Sequence, residues 1–202
     1  MNVFSYVVAN DYGFAPNPYG GVLTLATCKP VIRRTARVGD IIVGLGSKRT
    51  VGNDKLVYAG IISEIVTMKE YGESERFAKK RPENMKSGDC IYYWDESGVK
   101  QRANPVHGKN DIERDTGGKN VLICNKYWYF GNKAQQVSPE ILNAIKIVRG
   151  HRRCRDSKTV ANVLKFIESL SNESYVRPYH TITLSSDSCG RRKFKKSRCG
   201  AC

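Results

Sequence analysis

The chain opens on an apolar alternation with β-branched side chains over residues 3–9, which predicts a strand. It then breaks into Asp11-Tyr12-Gly13-Phe14-Ala15-Pro16-Asn17-Pro18. The two prolines fix φ and push Ala15 and Asn17 towards extended backbone, so a stiff loop carrying a carboxylate and two aromatics is expected at a strand end. Further apolar runs predict strands at 22–28, 41–45, 56–66, 90–94, 121–125 and 127–131. The run at 41–45 is continuously apolar and so expected to be buried on both faces. Gly60 inside the run at 56–66 is expected to mark a bulge or sharp bend.

Helix signals fall between these strands. Pro30 opens a short helix through Ala36. Thr67 caps one over 68–77, Ser138-Pro139 starts another, and an apolar stripe of Val160, Val163, Leu164, Phe166, Ile167 and Leu170 marks the last, at 157–170. Residues 95–119 are polar, rich in Gly and Asn, and read as loop; after about Tyr179 no periodicity remains. Short numerous strands with helices inserted predict an α+β domain over residues 1–180 with a small mixed or closed sheet. Residues 181–202 read as a basic, cysteine-containing, disordered tail.

Charge narrows the partners. Lys and Arg number 34 against 19 Asp and Glu, a net charge of +15, which attracts polyanions such as nucleic acid. Arg191-Arg192-Lys193-Phe194-Lys195-Lys196-Ser197-Arg198 holds six of those bases without an acid. No apolar run approaches the ~20 residues needed to span a bilayer, and no signal-peptide pattern opens the chain. A cytoplasmic protein that does not enter a membrane is expected. Seven cysteines, an odd number, argue against a disulfide framework. Cys189, Cys199 and Cys202 fall short of the four ligands of a structural zinc site, so neither metal nor cofactor is expected.

Candidate chemistry lies on loops. Gly44-Leu45-Gly46-Ser47-Lys48 lacks the order of a phosphate loop, yet backbone donors and Lys48 suit an anion; a solvated turn explains the same residues. Val148-Arg149-Gly150-His151-Arg152-Arg153-Cys154-Arg155 packs four arginines and a histidine, residue types suited to phosphate and base edges. The aromatics at 92–94 and 127–130 supply both core and a stacking surface. No Ser-His-Asp order or paired catalytic carboxylates stand out, and the three histidines lie far apart.

Val38-Gly39-Asp40 ahead of two strands resembles the PUA-like barrels, including EVE and ASCH domains, whose folds bind RNA, modified bases or nucleotide-like ligands. This PUA/EVE-like resemblance implies a small mixed β-barrel with peripheral helices. A longer series is similar to the nucleotide modification associated domain family, second type. It comprises Tyr6-Val7-Val8 with the loop at 11–18, Leu25-Ala26-Thr27-Cys28-Lys29-Pro30, Ile32-Arg33, Val38-Gly39-Asp40, Gly46-Ser47-Lys48, Leu56-Val57-Tyr58-Ala59, Arg81-Pro82 and Arg149-Gly150-His151. That resemblance implies a bacterial or phage setting of DNA-base modification, without naming a reaction. The expected function is a binding module for a nucleotide or modified base, with two alternatives: an enzyme acting on a base with Asp11 or His151 as acid–base group, and a protein that sequesters a nucleotide signal. Asp11 and Asn17 are expected to read base edges, Tyr12 or Phe14 to stack, and Ser47, Lys48, Arg149 and His151 to meet phosphate.

Overall fold

The computed structural model describes residues 1–147, 150–171 and 176–182. Strand β1 (Val3–Val7) is buried on both faces and runs parallel to the central strand β3 (Ile41–Leu45), with Val3 opposite Ile41 and Val7 opposite Leu45. A parallel neighbour needs a long crossover. Here it contains β2 (Leu23–Leu25) and helix α1 (Pro30–Thr35). On its other side β1 meets the edge strand β11 (His151–Cys154), antiparallel, with Phe4 opposite Arg153 and Tyr6 opposite His151. β4 (Lys55–Ile61) continues the sheet beyond β3, and its outer edge is shared by β9 (Lys126–Tyr129) and β10 (Gln135–Gln136).

A three-stranded sheet orders β2, β8 (Asn120–Cys124) and β5 (Glu64–Thr67), while β6 (Tyr92–Asp95) and β7 (Gly98–Gln101) form a hairpin. The mixed α+β character is as expected. The barrel is not: among the described residues the strands form three sheets and none closes. The reason lies in the run at 56–66, which divides at Ile62–Ser63 so that β4 and β5 join different sheets, just as β8 and β9 divide at Asn125. Gly60 is not a bulge; a Cβ there would lie 2.8 Å from Cys124 Sγ, so glycine lets the two sheets approach. The bulge lies instead at Val57 of β4, the extra residue opposite the step from Gly44 to Leu45 of β3.

The capping signals are realised. Thr67 accepts the Glu70 N–H at the start of α2 (Met68–Glu73), Ser138 that of Ile141 at α4 (Pro139–Ile145), and Asp156 that of Thr159 at α5 (Ser157–Glu168). α2 is shorter than expected because Ser74 turns extended and a 3₁₀ turn, Glu75–Lys80, follows. Residues 95–119 are more ordered than their polarity implies, holding β7, a 3₁₀ turn and α3 (Ile112–Thr116).

One face of the main sheet buries Val3, Val43 and Trp128 against Ile145, Val163 and Ile167 of α4 and α5. Each such aliphatic contributes roughly 1.5–3 kcal/mol. A groove of about 370 Å3 between these helices opens on that side. The other face packs Phe4, Tyr6 and Val8 against Leu23, Leu25 and Ile32, which places the turn between β2 and α1 beside β1. Among the described residues no helix is long and apolar enough to cross a membrane. The tail's basic run and Cys189, Cys199 and Cys202 lie outside the described residues.

Candidate functional site

The turn from β2 into α1 is strained at its centre. Cys28 has φ +58° and Lys29 φ +39°, a left-handed conformation that costs a non-glycine residue ~1–3 kcal/mol and persists only where surroundings impose it. Those surroundings are polar and buried. The Cys28 N–H donates to Asp115 Oδ1 at 2.9 Å, and its carbonyl accepts Arg33 Nε–H at 2.8 Å. Arg33 is fully buried, donates further to the Asn120 carbonyl at 2.8 Å and to the carbonyl of Asp115, and lies against Gly118. A Cβ at Gly118 would sit 2.3 Å from the guanidinium carbon. Burial pulls the Arg33 pKa down to about 10, against the attraction of Asp115, so it stays charged at neutral pH.

Asp115, on α3, also holds a histidine. His107 Nδ1 lies 2.6 Å from Asp115 Oδ2, which accepts the Tyr92 hydroxyl as well, at 2.9 Å. The backbone N–H of His107 donates to Asn104 Oδ1 at 2.7 Å, and the edge of Phe14 packs on the ring at 4.9 Å between centroids. So gripped, the imidazole turns Nε2 to Cys28 Sγ at 3.5 Å. Burial alone would lower the His107 pKa, but Asp115 and the Cys28 sulfur outweigh it and carry it up to about 10. Burial would raise Asp115, yet His107, the Cys28 N–H and Arg114 bring it below its ordinary value.

A carboxylate orienting an imidazole whose far nitrogen faces a half-buried thiol is the geometry of an activated nucleophile. The same three side chains offer ligand atoms within 4.8 Å of one another. They suit a metal poorly: Nδ1 is committed to Asp115, whose oxygens also hold Tyr92 and the Cys28 N–H, leaving Sγ and Nε2 to face a common point where zinc asks for three or four ligands. The thiols of Cys90 and Cys124 differ in kind, since burial pushes both up to about 12.

The residues singled out from sequence are distributed around this centre. Asp11 is buried; Oδ1 accepts the Gly13 N–H at 3.0 Å and Oδ2 the Tyr129 hydroxyl at 2.7 Å, while desolvation raises its pKa against both bonds. Tyr12 stacks obliquely on His180 at 5.0 Å. Phe14 forms one wall of the His107 pocket. Asn17 lies elsewhere, in a buried network where its side-chain oxygen accepts from Lys80 at 3.0 Å. Ser47 closes its own turn by accepting the Arg49 N–H, and Lys48 is exposed. His151 sits opposite Tyr6, whose ring also carries the Lys29 ammonium at 4.8 Å, and burial together with Lys29 lowers its pKa. Arg149 lies outside the described residues.

Topology gathers several of these segments. The loop at 11–18 and the turn at Ser47–Lys48 both leave the carboxyl ends of the parallel strands β1 and β3, and antiparallel β11 begins there with His151. Ligand sites of parallel sheets form at such ends. Cys28, His107 and Asp115 escaped the sequence reading because 79 residues separate the thiol from the imidazole. The legible signal was the strand–Cys28-Lys29-Pro30–helix junction, without its partners. The family model described as nucleotide modification associated domain 2 matches residues 1–185. No curated protein and no solved structure matches the chain.

Proposed function

The chain belongs to the nucleotide modification associated domain 2 family, and on that premise we propose that it is a cysteine-dependent enzyme of nucleotide modification, acting on an acyl or amide group carried by a nucleotide or base. The observation that carries this reading is the line Cys28 Sγ, His107 Nε2 at 3.5 Å, His107 Nδ1, Asp115 Oδ2 at 2.6 Å. His107 is already an imidazolium in the resting site, and the Cys28 sulfur attacks the acyl carbon as its anion beside that charge. His107 gives its Nε2 proton to the departing amine or alcohol, leaving a thioester and a neutral ring. Water, losing a proton to His107, then attacks the thioester, releases the acid and restores the paired sulfur and imidazolium.

Alkylation tests this. Iodoacetamide should modify Cys28 at pH 6–7 at least tenfold faster than Cys154, which is likewise half-buried, and His107→Asn should remove the difference. Equal rates at the two cysteines, unchanged by His107→Asn, would sink the enzyme reading. A second reading, a binding module for a modified base on a PUA-like scaffold, draws support from the aromatic shelf of Tyr12, His180 and Tyr179, with centroids at 5.0 and 4.9 Å. On that reading Cys28→Ser binds a modified nucleoside as the native chain does, and no covalent adduct forms.

A further inference from the structure

Beside Cys28, a polar row follows the edge strand β11: the cations Lys29, from the turn before α1, and Arg153, from β11, with His151, whose pKa burial and Lys29 lower, between them. Residues two apart share one face of a strand, about 6.7 Å from one another, so His151 and Arg153 lie on the same face as their neighbours Tyr6 and Phe4. The Lys29 ammonium stands over the Tyr6 ring at 4.8 Å and the Arg153 guanidinium over Phe4 at 5.2 Å. Lys29 directly follows Cys28, and its charge is felt at His151. The row therefore leads from the nucleophile along the sheet edge. Arg153 forms no ion pair with the described residues, and its Nε is enclosed without a hydrogen-bond partner. β11 is also an edge, with its outer backbone edge unpaired by any described strand.

A mononucleotide phosphate occupies one such cation. Cations repeated along an extended edge match a repeated charge, the phosphodiester backbone. We infer that the substrate is carried on a nucleic-acid strand, whose phosphates lie along Lys29, His151 and Arg153 and place one nucleotide at Cys28. This rests on the reading of Cys28 as the nucleophile, because that reading gives the row its end point. Single-stranded nucleic acid is favoured over duplex, since the row follows one strand edge and the target group must reach a half-buried thiol.

The test uses the full chain and a fluorescent 12-nucleotide single strand of mixed sequence, with fluorescence anisotropy read from 50 to 300 mM salt. Arg153→Gln should weaken binding and reduce the log–log salt slope by ~0.7. Arg153→Lys, which keeps the charge, should restore the slope. The native chain should lose Cys28 alkylation on addition of the 12-mer and keep it on addition of thymidine monophosphate at equal phosphate. Equal affinity and slope for native chain and Arg153→Gln at unchanged Tm, or equal protection by monophosphate, would overturn the strand proposal. Failure of the two readings separates cleanly. A strand that binds through Arg153 to a chain whose Cys28 shows no enhanced alkylation refutes the nucleophile alone, and enhanced alkylation without any Arg153 effect refutes the strand alone.

Discussion

Asp115 Oδ1 accepts the backbone N–H of Cys28 at 2.9 Å. The carboxylate that orients His107 through its other oxygen thus also pins the strained turn bearing the thiol. Nucleophile and base share one anchor, and loss of its charge disturbs both.

Asp115→Asn keeps the shape of the side chain and removes the charge. An uncompensated buried imidazolium and a weakened turn should cost ~2–4 kcal/mol in urea unfolding. Alkylation of Cys28 should slow at least tenfold in the residual folded protein, as expected when an orienting carboxylate is lost. A destabilised variant with native alkylation would show that Asp115 serves the fold alone.

His107 predicts a pH dependence of stability. Its pKa is near 6.5 in an unfolded chain and about 10 when folded, so the folded state binds the proton more tightly. The stability gained is fully present below about 6.5 and is lost as pH rises through about 10. Lys80 works in the opposite sense: burial lowers it to about 8, and the cost of its buried charge fades above that pH. Subtracting the urea midpoint of His107→Gln from that of the native chain removes the lysine's share. The difference should shrink between pH 7 and pH 10; a constant difference would contradict a raised His107.

Lys80 is held by Val22 and Asn17 carbonyls at 2.7 and 3.1 Å and reaches Asp89 through Thr24, whose Oγ1 accepts from Nζ at 3.1 Å and donates to Asp89 Oδ2 at 2.6 Å. Lys80→Met strands the buried Asp89 and should cost ~3–5 kcal/mol by guanidinium unfolding. The double variant with Asp89→Asn should cost clearly less than the two single losses added, a coupling that distinguishes a charge relay from two unrelated packing defects.

Tyr129→Phe removes the side-chain hydrogen bond to buried Asp11 and leaves that of the Gly13 N–H. The unsatisfied carboxylate should cost ~1–3 kcal/mol, measured as a fall in Tm. Cys28 alkylation should stay native, because neither residue touches the Cys28 centre; a matching loss of alkylation would place Asp11 in the reactive centre after all.

The amino-acid sequence by itself determined what is settled within a few residues. Thr67 and Ser138 cap the helices assigned to them because a cap bonds an N–H three residues on. Residues 41–45 form a strand buried throughout because no polar side chain interrupts the run. The stripe of α5 faces the core because its spacing permits no other burial. Tertiary structure decided the rest. Whether strands close into a barrel depends on pairing between distant segments, and here the chain changes sheets at Ser63 and Asn125 instead. Arg33, on sequence one basic residue of a short helix, became the buried support of Cys28 because carbonyls of residues 28, 115 and 120 converge on it. His107 and Asp115 lie in a polar stretch without period, and their alignment on Cys28 arises when β6, α3 and the β2–α1 turn pack together. No local preference encodes that distance, because hydrogen bonds between remote segments form only once the core has brought those segments together.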